Sequence, residues 1–238
     1  MTQAVDLISS QPSSLSLQDF LVWDSGDDRL YELIEGKPIP MSDPTANHED
    51  VADNLCDLLR LHCLEKNLPF IPKRSKLISI GSQNGRDTAR RGDIVVFAKA
   101  EWERMKGLSS SAIAYIAPPL VMEVVSKNWR DDYLTKLAEY ESIGVQDYWI
   151  VDYAALGGMQ YIGHPKQSTL SIYTMDPETG EFGMPQQFRG DNKIKSTRYP
   201  EIFWITHSCQ SELSRNFLDN TPSLGIIQKA LKSLYQFK

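Results

Sequence analysis

The most apolar stretch of the chain lies near its middle, in PPLVMEVVS at residues 118–126. A continuous apolar run of this length is typical of a strand buried on both faces of a sheet. Glu123 interrupts the run, and a buried carboxylate costs several kcal/mol (order of magnitude) unless a cation, hydrogen bonds or a proton satisfies it. The pattern predicts a central strand with an acid that needs a partner, either in a structural ion pair or in a functional site.

The residues after this strand predict a crossover. Apolar positions recur at helical spacing up to Ile143, and Gly144 is placed as the C-terminal cap. A second strand, at 147–152, should then lie parallel to the first. Short strands are predicted at 159–162, 170–175 and 182–188, where they would form an antiparallel meander, and an amphipathic segment is expected at 224–237.

Upstream, alternating and helical patterns predict five further elements. They are a short capped helix at 16–23, a hairpin at 30–41 that turns at Glu35-Gly36, a long amphipathic helix from Ala46 to about Lys66, and strands at 70–80 and 90–97. We therefore expect one α/β domain over 16–238, with a mixed central sheet flanked by helices and an antiparallel β extension. Residues 1–15, which are rich in Ser and Gln, are expected to form a flexible tail.

Composition narrows the function classes. The chain has 238 residues, 41% of them hydrophobic and 24% charged, and contains neither a run of about 18 apolar residues nor a signal-peptide pattern. We expect a cytoplasmic protein. Its net charge of −6 means that any contact with nucleic acid must come from a local patch or a metal. The three cysteines have no metal-ligand spacing and are expected to be packed, reduced thiols.

Two acids and a lysine form the candidate site. Asp93 heads an apolar strand, Glu123 lies in the central strand, and Lys136 lies at the edge of the buried arc of the next helix. Two carboxylates with water suit Mg²⁺ or Mn²⁺, and a nearby lysine could position the attacking water. This spacing alone is weak, because it occurs by chance in many chains. His48, in the first turn of the long helix, is more often a surface or capping residue than a ligand.

Four motifs together resemble the Uma-two family, whose members belong to the restriction-endonuclease-like PD-(D/E)xK nuclease superfamily and are expanded in cyanobacteria. The motifs are RGDIVV at 91–96, LVMEVVS at 120–126, KLAEY at 136–140 and GVQDYWIVD at 144–152. The resemblance covers about residues 16–207 and includes YELIEG at 31–36 and His48.

The resemblance implies a metal site and a reaction. Asp93 and Glu123 would be metal ligands, with the main-chain carbonyl of Val124 completing the site, and the metal would be Mg²⁺ or Mn²⁺. The implied activity is a DNA endonuclease that hydrolyses phosphodiester bonds through a metal-activated water. Nucleases of this superfamily often pair, so a homodimer is also expected.

The chain departs from the superfamily pattern at two positions. Gly92 replaces the proline that usually precedes the first acid, and Val125 stands where a lysine is expected two residues after Glu123. In this family the lysine is thought to come from the following helix, and Lys136 is the matching residue. The resemblance therefore makes Lys136 a catalytic residue together with Asp93 and Glu123.

Two other functions stay open at this stage. One is a non-catalytic binding or assembly module that kept the acids for structural reasons. The other is a metal-dependent hydrolase of a smaller phosphoester. For the DNA-cleaving function, six basic residues are candidates for a local positive patch: Arg90, Arg91, Lys73, Arg74, Lys127 and Arg130.

Overall fold

The computed structural model describes residues 14–107 and 112–190, and nine strands in these ranges form one sheet. The strands are β1 (Tyr31–Ile34), β2 (Lys37–Pro40), β3 (Phe70–Gln83), β4 (Arg86–Ala98), β5 (Ile113–Ala114), β6 (Leu120–Val124), β7 (Asp147–Asp152), β8 (Thr169–Thr174) and β9 (Gln186–Arg189). Their order is β2-β1-β4-β6-β7-β8-β9, with β3 paired to both β4 and β5.

Helices flank this sheet. They are α1 (Leu17–Val22), α2 (Ala46–Glu65), α3 (Lys99–Lys106), α4 (Lys136–Ser142) and α5 (Met159–Ile162), and a π-helical turn (Asp131–Thr135) directly precedes α4. The hydroxyl groups of Ser16 and Thr45 cap the N-termini of α1 and α2. The predicted α/β class and mixed sheet are confirmed.

Strand β4 connects the two halves of the sheet. It forms a long antiparallel hairpin with β3 through a turn at Asn84-Gly85, where both residues have positive φ. Its N-terminal half pairs with β1, and its C-terminal half pairs antiparallel with β6. Strand β4 therefore extends from the N-terminal hairpin to the centre of the sheet.

Strand β6 is the buried centre that the apolar pattern predicts. All five of its residues are buried, and it runs parallel to β7, as the predicted crossover requires. Alternate residues face two cores: Met122 and Val124 pack with α2, whereas Val121 packs with Tyr140 of α4. Helical layers on both faces explain why the strand has no polar face.

Several elements differ from the sequence-based prediction. Strand β5 was not predicted, and the strand predicted at 182–188 is present only as β9, Gln186–Arg189. Residues 159–162 form helix α5 rather than a strand, because a segment of four residues has too little periodicity to separate the two. The predicted helix after β6 is divided between the π-helical turn and α4. The predicted segment at 224–237 and most of the predicted tail lie outside the described residues.

The cysteine expectation holds for the two described cysteines, and Cys209 lies outside the described residues. Cys56 and Cys63 are buried free thiols, as predicted, and burial raises the pKa of each to about 11. Within 14–107 and 112–190, no helix has the length and apolar character needed to cross a membrane. Leu15 donates its main-chain N–H to the carbonyl of Gly36 at 2.7 Å, at the end of the predicted tail.

Gly92 provides a test of the packing at the centre of the sheet. A Cβ atom at this position would lie 2.9 Å from Val95 Cγ2 and 3.0 Å from Val121 Cγ1. We expect Gly92→Ala to lower the free energy of unfolding by about 1–3 kcal/mol, the usual cost of overpacking a core, measured by urea denaturation. In the control Gly107→Ala, the nearest atom to the added Cβ is the Arg104 carbonyl oxygen at 3.4 Å, and stability should be unchanged or slightly raised. Equal stabilities for the two variants would contradict this packing.

Candidate active site

The two acids meet where the β4–β6 ladder ends. Ile94 pairs with Met122 in antiparallel register, so the next position places Asp93 opposite Glu123. Asp93 Oδ2 accepts a hydrogen bond from the Val124 main-chain N–H at 2.8 Å, and the Asp93 N–H lies 3.4 Å from Glu123 Oε2. Here the main-chain N–H groups of Val124 and Asp93 face side-chain oxygens instead of main-chain carbonyls. The two predicted acids therefore lie side by side.

A local irregularity in β3 accompanies Asp93. Ser75, on the strand opposite, has φ +50, a left-handed conformation that interrupts the regular ladder. The flanking arginines bridge the gap: Arg74 Nε donates to the Asp93 carbonyl at 3.2 Å, and Arg91 donates to the Ser75 carbonyl at 2.7 Å. These bonds hold the main chain of Asp93 where the strand pairing is broken.

Lys136 points toward the acids. Its Nζ lies 3.2 Å from Glu123 Oε2 and 3.4 Å from Asp132 Oδ1, and its side chain is one-tenth exposed. The other oxygen of Glu123 accepts a hydrogen bond from the Tyr140 hydroxyl at 2.8 Å. The cation and hydrogen bond that the central strand requires are therefore both supplied by one helix and the turn before it.

The sequence analysis missed Asp132 and Tyr140. Asp132 lies four residues before Lys136, a spacing that brings side chains together on a helix and that could have pointed to it. The intervening turn is π-helical: the Lys136 main-chain N–H bonds to the Asp131 carbonyl. π-helical turns are frequent at functional sites.

Burial and charge shift the ionisation of this cluster. Burial raises the pKa of Glu123 well above its usual range, against the opposing effect of Lys136. Burial also raises the pKa of Asp132 to about 6. For Lys136, burial acts to lower the pKa, but Glu123 and Asp132 outweigh it and raise the pKa well above its ordinary value. The charged form of Lys136 is therefore favoured by the two buried carboxyl groups beside it.

His48 contacts the first acid from the opposite side. Its Nε2 lies 2.9 Å from the Val124 carbonyl oxygen and 3.4 Å from Asp93 Oδ2. Burial works to lower the pKa of His48, yet the hydrogen bond and charge of Asp93 raise it overall. For Asp93, burial acts to raise the pKa, but His48 and Lys136 lower it overall. The first turn of α2 thus reaches the same strand end as Lys136.

The position of Arg90 contradicts its predicted place in the positive patch. It is 5% exposed, and its guanidinium group binds Glu32 at 3.2 Å, Asp131 at 3.4 Å and Glu139 at 2.6 Å. Burial acts to lower the pKa of Arg90, but these carboxylates raise it overall. A buried guanidinium with three acidic partners does not contact DNA; it joins β1 and β4 to the segment that carries Lys136.

The other five residues of that patch divide into two groups. Arg74 pairs with Glu49 and Asp53, the Arg91 guanidinium binds a main-chain carbonyl, and Lys73 lies over the ring of Trp102. Lys127 and Arg130 are exposed just after β6. The prediction is therefore wrong for Arg90, and of the six residues only Lys127 and Arg130 are exposed.

The donor set fits a hard divalent cation. Asp93, Glu123 and the Val124 carbonyl provide oxygen ligands of the kind that Mg²⁺ and Mn²⁺ prefer. Across the described residues, no three His, Cys, Asp or Glu side chains are grouped so as to hold a metal ion. Any ion at this strand end would therefore depend on main-chain oxygen or water for the rest of its coordination.

The fold is a nuclease-like α/β fold. The chain belongs to the Uma2 family, described as "Putative restriction endonuclease", whose model matches residues 17–208. A solved structure titled as a putative nuclease belonging to DUF820, from Anabaena variabilis, aligns with a TM-score of 0.61 and 18% identity. The alignment covers 82% of this chain and 97% of that one, and at this identity it establishes the fold alone. No curated protein matches the chain.

The Arg90 network gives a stability prediction. We expect Arg90→Met to lower the free energy of unfolding by about 3–5 kcal/mol, because it leaves buried carboxylates without their cation. Arg104→Met is the matched control: Arg104 pairs with Glu101 at 2.7 Å but is half exposed, so its loss should cost about 0–1 kcal/mol. Urea denaturation of both variants measures the difference. Equal costs would show that the network does not anchor the segment before α4.

Proposed function

We propose that the protein is a divalent-metal-dependent DNA endonuclease that hydrolyses phosphodiester bonds. One observation carries this proposal: the Lys136 ammonium lies 3.2 Å from Glu123 at the strand end where Asp93 bonds to Val124. Membership of the Uma2 family supports the same reaction class. The acids and the lysine come from different elements, as expected for a reaction centre assembled by a fold.

Each residue has a proposed role. Asp93, Glu123 and the Val124 carbonyl hold Mg²⁺ or Mn²⁺. The ion, when bound, lowers the pKa of a coordinated water and neutralises charge on the scissile phosphate. Lys136 places its ammonium beside this site, where it orients the attacking water and stabilises the charge that develops on the phosphate. Tyr140 fixes the orientation of Glu123 through its hydroxyl.

The DNA contact is local. The net charge of −6 gives no overall attraction to a polyanion, so phosphate contacts must come from side chains near the site. Lys127 and Arg130 are exposed within seven residues after Glu123, and Arg130 lies 4.5 Å from the centre of the Trp129 ring. We assign these two residues to the phosphate backbone on either side of the scissile bond. Pairing of two copies across both DNA strands stays a prediction.

One feature favours the non-catalytic module instead. Glu123 and Asp132 are already paired with Lys136, and Glu123 is also bonded by Tyr140, so both oxygens of Glu123 have a partner within the protein. A protein that used the acids only for structure would have these same contacts. Metal binding and cleavage separate the two functions, and small phosphoester substrates separate DNA cleavage from the third possibility.

DNA cleavage gives the direct test. Plasmid and single-stranded DNA are incubated with the wild type in Mg²⁺ or Mn²⁺, beside Glu123→Gln and Lys136→Met. Loss of the Lys136 charge should lower the cleavage rate by a factor on the order of 10² or more, the scale of a lost electrostatic contact to the transition state. Lys136→Arg should restore little, because its planar group differs in reach and proton chemistry.

Two controls make the cleavage test specific. Lys136→Met leaves two buried carboxyl groups without a cation, so rates are compared at a temperature where circular dichroism shows the variant folded. Lys106→Met removes an exposed lysine that pairs with Glu103, and it should cleave like the wild type. Cleavage by Lys136→Met at the wild-type rate would remove the lysine from the mechanism. A wild type inactive on every DNA form would favour the binding module.

Metal binding is tested separately by thermal unfolding without DNA. An ion that binds only the folded state stabilises it by mass action, about 2.7 kcal/mol at one hundred times the dissociation constant. Millimolar Mn²⁺ should therefore raise the melting temperature of the wild type. Asp93→Asn should remove most of this shift, because it replaces an anionic ligand with a neutral one. An unchanged wild-type melting curve would contradict the metal site.

A further inference from the structure

His48 has a ring nitrogen that could bind a metal ion at this site, and the proposed function gives it no role. Its side chain is nine-tenths buried, and it approaches the end of β6 from α2, on the side away from Lys136. The capping bond from the His48 N–H to the Thr45 hydroxyl fixes the main chain of this turn. The imidazole is therefore held against the two atoms that its Nε2 contacts.

The distances around Nε2 match those between neighbouring ligands of one ion. In an octahedral site with metal–ligand bonds of about 2.1 Å, adjacent ligands lie about 3 Å apart. His48 Nε2 lies 2.9 Å from the Val124 carbonyl oxygen and 3.4 Å from Asp93 Oδ2. Both of those oxygens are ligands in the proposed function. A carbonyl oxygen only accepts, so Nε2 carries a hydrogen here, and an ion could take the place of that hydrogen.

The other ring nitrogen provides a second observation. His48 Nδ1 is buried and has no hydrogen-bond partner in the described part of the chain, although Glu49 Oε1 lies 3.6 Å away. A histidine that binds metal through one nitrogen usually directs its other N–H to a carboxylate or carbonyl. Arg74 holds the Glu49 carboxylate at 2.9 Å, so an acceptor is already positioned near Nδ1.

We propose that His48 is a direct metal ligand, through Nε2, and that it makes the site selective for Mn²⁺ or a similar transition-metal ion over Mg²⁺. Imidazole nitrogen suits transition-metal ions, whereas Mg²⁺ prefers oxygen ligands and retained water. The ligands that lie next to His48 are then Asp93 and the Val124 carbonyl, both of which belong to the set in the proposed function. This inference rests on the metal binding in the proposed function.

The test is electron paramagnetic resonance of Mn²⁺ bound to the full-length protein, without DNA, with detection of ¹⁴N coupling by electron spin echo modulation. The wild type should show bound Mn²⁺ with coupling to one imidazole nitrogen. His48→Gln should lose that coupling and bind Mn²⁺ at least about 10-fold more weakly, since even outer partners of metal ligands contribute 10–100-fold. Thermal-shift titrations of both proteins should show that the variant loses its preference for Mn²⁺ over Mg²⁺.

His62→Gln is the matched control. His62 lies on the same helix and is buried to the same extent, but it is 14 residues farther along, about 21 Å of helix. This variant should keep both the ¹⁴N coupling and the metal preference. Because the control also removes a buried imidazole from α2, it separates coordination from general destabilisation.

The outcomes distinguish the two proposals. Bound Mn²⁺ without ¹⁴N coupling in the wild type would overturn His48 as a ligand while leaving the metal-dependent nuclease intact. Coupling that persists in His48→Gln would also overturn it, because another nitrogen would be the ligand. A wild type that binds no Mn²⁺ would overturn both.

Discussion

The structure depends on keeping one carboxylate at the centre of a buried strand. Glu123 is 1% exposed, and an isolated charge there would be too costly for a stable fold. Lys136 and Tyr140 satisfy its two oxygens from one helix. That helix must therefore follow β6 closely and cross back over the same face of the sheet, as the β6–α4–β7 crossover does. The chemistry of one side chain and the topology around it are linked.

A second layer of charge holds that helix in place. Arg90 joins β1, β4, the π-helical turn and α4 through three carboxylates, although it is remote in sequence from most of them. The result is an alternation of acids and cations across the helix–sheet interface, in which each buried charge has an opposite neighbour. Such networks fix a geometry more than they add stability, because desolvation offsets much of the attraction.

The sequence was sufficient for most of the strands and helices and for naming the two acids. Strand periodicity placed Asp93 and Glu123 on two separate strands, the family resemblance joined them in one site, and the arc of α4 allowed Lys136 to turn inward. Sequence reasoning could not find the contacts that depend on tertiary packing. His48 meets Val124 across 76 residues, and Arg90 meets Glu139 across 49. It also misassigned Arg90 to a DNA-binding patch, because a buried arginine and an exposed one look alike in a sequence.

The π-helical turn before Lys136 makes the site sensitive to chain length. In that turn the Lys136 N–H bonds to the carbonyl five residues earlier, instead of four as in an α-helix. Deleting one residue from the turn would restore ordinary helical bonding and rotate the helix beyond it by about 100° relative to the strand. The ammonium would leave the acids, although no charged residue had been removed. Spacing between motifs is therefore as much a part of this site as the identity of its residues.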